Sequence, residues 1–187
     1  MKLKKILMAL FVVGSLTATA QTKTIAGVKF PTKTEINGKS IVLNGGGLRE
    51  KYWIDLYVAA LYVEDKTTDP GKIIFANDYQ AIHIKIISSR VTRERFIESV
   101  NEGFKNASQG KATKEQISKF VGFFNSEFKE WDRINLEYVP EKGIHVYKNG
   151  DLKGVIPGIE FKKALFSIWL GSVPADEDLK NGLLGRD

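Results

Sequence analysis

The chain has 187 residues, of which 27% are charged and 43% hydrophobic, with two histidines, no cysteine and a formal charge of +6. The lack of cysteine excludes disulfides, thiol catalysis and thiolate metal sites, so an apolar core alone must hold the fold. No arginine-rich run occurs and much of the charge is terminal, which argues against a nucleic-acid partner.

The first residues read as a secretory leader. Lys2, Lys4 and Lys5 form a basic region, Ile6 to Leu16 an apolar one, and Ala18-Thr19-Ala20 a cleavage site. The apolar run falls short of the ~20 residues that span a bilayer. A signal peptide is therefore expected over residues 1–20 and one mature domain over residues 21–187. Its removal takes three lysines away and lowers the charge to +3. An exported protein is expected, in the periplasm, without stable membrane insertion. The remaining length suits one domain that buries roughly 70% of its unfolded surface.

Thr22 to Asn44 reads as an opening hairpin. Ile25 to Phe30 is a weak strand stopped by Pro31, Asn37-Gly38 a turn, and Ser40 to Leu43 the returning strand. Gly45 to Gly47 then ask for positive φ or a close backbone approach. They lack the Gly-Lys-Ser/Thr of a phosphate loop, and a strand follows them rather than a helix. Tyr52 to Val63 holds no Gly or Pro and is rich in aromatic and β-branched residues, which predicts a long strand with Arg49 at its head. Alternation places Tyr52, Ile54, Leu56, Val58, Ala60 and Tyr62 on one face, expected to be core. Arg49, Lys51, Trp53, Asp55, Tyr57, Ala59 and Leu61 share the other. That mixed face suits either a ligand-cavity wall or a half-solvated sheet.

Asp65 to Gly71 is a loop, and Lys72 to Ala76 a short helix or strand. Gln80 to Ser88 is a strand with Ile82, Ile84 and Ile86 inward and His83 and Lys85 outward. Thr92 caps a helix carrying Phe96, Ile97, Val100, Phe104 and Ala107 at helical spacing. After a break at residues 106–111, Thr113 and Gln116 form a capping box. The stripe Ile117, Phe120, Val121, Phe124, Phe128 and Trp131 follows. It reads as core, or as the roof of an apolar pocket. Ile134 to Val139, Ile144 to Tyr147 and Leu152 to Ile156 are short strands, parted by Glu141-Lys142-Gly143 and Asn149-Gly150. Ile159 to Leu170 is a helix with Phe161, Leu165, Ile168 and Trp169 inward, closed by Gly171 beyond its end. Asp176 to Leu184 adds a last amphipathic turn or two. The fold class is α+β, a mostly antiparallel sheet with helices on one face.

Neither histidine has metal-ligand spacing, and no nucleophile elbow accompanies them. The carboxylates lie mostly on solvated helix faces. No motif points to a cofactor or a metal. Arg49 stands apart, because a guanidinium facing the interior must be paired. Asp55 is its partner by parity; a ligand carboxylate is the other possibility.

Three blocks carry a resemblance: G-G-G-L-R with I-D-L-Y-V-A-A-L-Y-V-E at residues 45–64, I-H-I-K-I-I-S-S-R-V-T-R-E-R-F-I-E-S-V at residues 82–100, and F-K-K-A-L-F-S-I-W-L-G-S-V-P-A at residues 161–175. In order and spacing the chain resembles the chalcone isomerase-like family, in its bacterial, signal peptide-bearing branch. The resemblance implies an open-faced β-sandwich, a large antiparallel sheet covered by helices on one face, with a ligand cleft between them. Catalytic members use an arginine beside the glycines, a threonine on the next strand and a tyrosine opening the first long helix. Noncatalytic members bind fatty acids through the arginine and the tyrosine. Here the arginine is Arg49, the threonine position holds Tyr57 and the tyrosine position holds Phe96. Ile168 and Trp169 fall where the family has pocket residues. The expected function is noncatalytic binding of a fatty acid or similar small hydrophobic carboxylate by Arg49, Tyr57, Phe96, Val100, Ile168 and Trp169. The alternative is an isomerase or lyase acting on an enone-like substrate, with Arg49 as electrophile and Tyr57 as acid. A third possibility is a structural module with a collapsed pocket and an Arg49–Asp55 pair.

Overall fold

The computed structural model describes residues 21–186; the leader expected over residues 1–20 lies outside them. Two short strands open the chain, β1 (Thr22–Ile25) and β2 (Val28–Pro31). Then come β3 (Lys33–Ile36), β4 (Lys39–Lys51), β5 (Ile54–Val63), α1 (Pro70–Ile74) and β6 (Gln80–Ile86). Two helices follow, α2 (Arg93–Asn106) and α3 (Lys114–Gly122), then β7 (Arg133–Val139), β8 (Gly143–Lys148) and β9 (Asp151–Ile156). Helices α4 (Ile159–Leu170) and α5 (Glu177–Leu183) end the fold. Strands β3 to β9 form one antiparallel sheet in chain order, and β1–β2 is a separate hairpin. The architecture is the α+β class expected.

Alternation decides what each sheet face meets. Ala59, Leu61, Ile82, Ile84 and Ile86 join the main core with the helices, as the inward isoleucines of β6 predict. Val58, Ala60 and Tyr62 point the other way, into a smaller core under Ile25, Val28 and Phe30 of the β1–β2 hairpin. That hairpin corrects the single strand expected over Ile25 to Phe30. Ala26 and Gly27 adopt φ of 43° and 78° and turn the chain in the middle of it.

The long strand expected from Tyr52 starts later. Tyr52 and Trp53 both have positive φ, 53° and 60°, and form the two-residue turn between β4 and β5. Arg49 therefore belongs to β4, directly opposite Tyr57 of β5. Two strand-forming aromatics in a turn that favours Asn-Gly hid this boundary.

Gly45 to Gly47 lie inside β4 without positive φ. Close approach explains Gly45, where a Cβ would collide with the Gly182 carbonyl oxygen and stand 2.8 Å from that of Leu183. Helix α5 thus rests its backbone on the glycine strand.

Helices α2 and α3 carry the expected caps, Thr92 accepting from the Arg95 N–H and Thr113 and Gln116 capping reciprocally. Phe120, Phe124 and Phe128 are buried. Helix α3 nevertheless stops at Gly122, and Trp131 is 60% exposed instead of continuing the stripe. Lys148 holds the irregular segment after α3. Its Nζ donates to the Glu127 carbonyl at 2.8 Å, pairs with Asp132 at 3.3 Å and stands 4.4 Å from the Phe128 ring. Gly171 ends α4 as the cap residue itself rather than one place beyond it, with φ −71° and extended backbone.

Helix α4 is buried on nearly every side, and Lys162 with it. Its Nζ donates to the carbonyls of Ile73, Ile74 and Ala76 at 2.6, 3.1 and 2.9 Å, tying α4 to the end of α1. Burial pushes this amine from an ordinary 10.5 down to about 7, with Asp78 opposing and Lys163 adding to the fall. Between about pH 7 and 10.5 the unfolded chain then binds more protons than the folded one, so stability rises with pH. Urea midpoints over that window should climb for wild type and lose this component in Lys162→Met. Gly45→Ala should cost about 2 kcal/mol, from overpacking against α5, read as a lower urea midpoint.

Candidate functional site

A cavity of about 640 Å³ lies between the sheet and helices α2 and α4. All six residues singled out in the sequence, Arg49, Tyr57, Phe96, Val100, Ile168 and Trp169, line it. Strand β4 supplies Arg49 and β5 supplies Tyr57, side by side because they are cross-strand partners. Helix α2 supplies Phe96 and Val100, one turn apart, and α4 supplies Ile168 and Trp169. Ile84, Ile86 and Leu136 floor the cavity from β6 and β7. Gly103 lets α2 approach α4: a Cβ there would stand 2.8 Å from Ile168 Cγ2.

Two polar groups of the lining meet directly. Trp169 Nε1 donates to Tyr57 Oη at 3.0 Å. Tyr57 Oη has no acceptor among the described residues, so its own proton is left to donate. Burial raises the Tyr57 pKa; the Trp169 hydrogen bond and the Arg49 charge oppose this, and Asp176 adds to the rise. The phenol stays protonated at neutral pH. Phe96 packs edge-on to Phe124 and tilted to Phe128, each 4.7 Å away between centroids. The wall at Phe96 is thus backed by aromatic rings.

Arg49 pairs with Asp176, not with Asp55. Its Nη1 donates to Asp176 Oδ2 at 2.9 Å and to the Glu50 carbonyl. Asp55 sits opposite Glu50 near the exposed turn, because a register shift between Arg49 and Glu50 breaks the simple parity. Asp176 is also the N-cap of α5, its Oδ1 accepting from the Leu179 N–H at 2.9 Å. The bound pair is four-fifths buried, while Nη2 and Nε of Arg49 make no hydrogen bond among the described residues. Sequence reasoning missed Asp176; the Asp before Glu177-Asp178-Leu179 is a cap signal, and nothing marks it as a partner for a residue so far back.

Several further cavity residues were not singled out: Tyr52, Ile54, Arg90, Arg95 and the loop Val173–Ala175. Neither histidine borders the cavity. His83 lies on the opposite sheet face, its ring 4.7 Å from Tyr62. No group of three or more acidic or histidine side chains suited to a metal occurs among the described residues.

A helix-covered antiparallel sheet with an apolar cavity between the layers, lined by Arg49 and Tyr57, defines an α+β protein with an interlayer cleft. A chalcone isomerase-like family model matches residues 22–185. The chain belongs to the chalcone isomerase-like family. It is similar in structure to a fatty-acid binding protein of Arabidopsis thaliana, with a TM-score of 0.71 and 19% identity, over 89% of this chain and 97% of that one. No curated protein matches the sequence.

Asp176→Ala removes the cap of α5 and the counter-charge of Arg49 together, and should cost about 2–3 kcal/mol. Asp176→Asn keeps the cap and should cost about half as much. Chemical unfolding of both variants checks the order.

Proposed function

We propose that this protein is exported, to the periplasm, and binds a fatty acid or similar small hydrophobic carboxylate in the cleft without turning it over. One observation carries the reading: an apolar cavity of about 640 Å³ that both Arg49 and Tyr57 line, with the Tyr57 hydroxyl proton left without an acceptor among the described residues. The volume lies within the range of small-molecule sites, ~300–1,000 Å³. The carboxylate goes to the unused guanidinium N–H groups of Arg49 and the Tyr57 hydroxyl, and the tail lies between Phe96, Val100, Ile168 and Trp169. Burying ~300 Å² of alkyl surface contributes roughly 7 kcal/mol before the cost of association. The fatty acids bound by the structural neighbour support the same ligand class. The leader read over residues 1–20 supports export.

Absence of turnover rests on the side chains that line the cavity. Phe96 has no hydroxyl to polarise a carbonyl, no histidine borders the cavity, and Tyr57 holds its proton tightly. Charge also limits affinity. Asp176 already engages Arg49, so an incoming carboxylate shares the guanidinium with it.

Native mass spectrometry tests the reading. The chain from Gln21, offered dodecanoic to octadecanoic acids, should carry one acid, and Arg49→Ala should weaken the complex about 10-fold or more, the loss of one charge-assisted contact. An equal adduct on Arg49→Ala would move the head elsewhere; no adduct on either protein would end the acid-binding reading. Conversion of an enone series that Tyr57→Phe abolishes would replace it with an enzymatic one.

A further inference from the structure

Seven large apolar side chains are exposed among the described residues, and five share one end of the sheet. Tyr52, Trp53 and Ile54 stand at the β4–β5 turn, Trp131 just before β7 and Leu152 just after the β8–β9 turn. Antiparallel pairing in chain order brings those places to the same end. A sixth, Val173, borders the cavity, as do Tyr52 and Ile54.

The fold gives no reason for the exposed aromatics. Trp53 is 92% exposed and Tyr52 79%. Both occupy positive φ, and Trp131 does so too at 74°. Left-handed backbone is unfavourable for bulky side chains, and Asn or Gly would make the same turns without strain. Strained aromatics directed at water indicate a partner for them. Cations accompany them: Lys51 Nζ lies 5.6 Å from the Tyr52 ring and Lys85 Nζ 5.7 Å from the Trp131 ring. Charged residues lining the cavity are Arg49, Lys51, Arg90 and Arg95 against Glu98 and Glu102, a positive excess. Glu50, Asp55 and Glu130 also lie at this end and offset that excess, so the cations that matter for docking are the two beside the exposed rings, Lys51 and Lys85, with Arg90 and Arg95 nearby in the lining.

We propose that this end of the protein docks on an anionic lipid bilayer, and that the cavity exchanges its acid with the bilayer through the docked mouth. The exchange rests on the acid-binding reading; the docking rests on the surface alone. Trp and Tyr settle at the membrane–water interface, and Lys and Arg reach from there to anionic headgroups. A projecting tip suits insertion into headgroups, whereas a protein partner needs a broad face of about 800 Å². Docking would be peripheral, since no helix among the described residues is long and apolar enough to cross a membrane. Tyr52 and Ile54 belong both to the tip and to the cavity wall, so contact with lipid is continuous with the path of the tail. A long alkyl chain passing between bilayer and cavity there never crosses open water.

The test uses the chain from Gln21, which contains every described element and lacks the apolar leader. Trp53→Gly and Trp131→Gly each remove an exposed ring outside the cavity lining and relieve a positive φ, so the fold is kept. Trp53→Asn, tolerated at the same φ, is the second variant. Wild type should sediment with phosphatidylglycerol-containing vesicles, with blue-shifted tryptophan emission, and less with pure phosphatidylcholine. The double glycine variant should partition roughly 10-fold more weakly, with dodecanoate binding in solution unchanged. Wild type that stays in the supernatant with both vesicles overturns the proposal, as does equal sedimentation of the variants. A wild-type dimer that the substitutions dissolve, without vesicle binding, assigns the surface to a second copy and also overturns it. Tryptophan-dependent docking by a protein that binds no dodecanoate supports the docking and removes the acid-binding reading.

Discussion

The contact between helix α5 and the glycine strand β4 governs the head of the cavity. A helix can lie backbone-to-backbone on a strand only where the strand has no side chains on that face, and Gly45 supplies that gap. The approach fixes the first turn of α5, and with it Asp176, at the height of Arg49. One carboxylate then serves two ends: one oxygen caps the helix and the other holds the guanidinium. The glycines are remote from any chemistry, yet the orientation of Arg49 depends on them.

From that anchor the polar groups are ordered by cross-strand geometry. Arg49 and Tyr57 are neighbours because β4 and β5 pair without slip at that step, and the bulge comes one residue later. Trp169 reaches Tyr57 from α4 and occupies one lone pair of the phenol. The result is a head with hydrogen-bond donors to spare and a wall of phenyl rings behind it. Such a division of polar and apolar surface would suit the amphipathic acid proposed as ligand.

Much of this was legible in the sequence, for identifiable reasons. The inward isoleucines of β6, the Thr92 cap, the Thr113–Gln116 box and the Asn149-Gly150 turn each depend on near neighbours in the chain, and local patterns carry them. Five of the six cavity residues came from family resemblance and Val100 from helical spacing beside Phe96, and all six meet in one cavity. What failed depended on distant partners or on disguised turns. Ala26-Gly27 and Tyr52-Trp53 turn the chain inside stretches that read as strand. Arg49 found Asp176 rather than Asp55, across a separation of 127 residues that no periodicity spans. Helical spacing names Phe161, Leu165, Ile168 and Trp169 as inward and passes over Lys162, but α4 is enclosed, and the Lys162 amine is needed for the carbonyls that end α1.

The order of elements along the chain has a consequence for assembly. Every sheet pairing from β3 to β9 joins consecutive strands, whereas α5 returns from the far end of the sequence to β4. Closing that long loop is entropically disfavoured until the sheet exists to receive it. Arg49 thus keeps its counter-charge only while that long-range docking holds. That docking is a natural point of local opening in the native state, because α5 is only seven residues long. Local fraying there would free Arg49 while the sheet and its two cores stayed intact, giving the cavity a way to change the strength of its grip without unfolding.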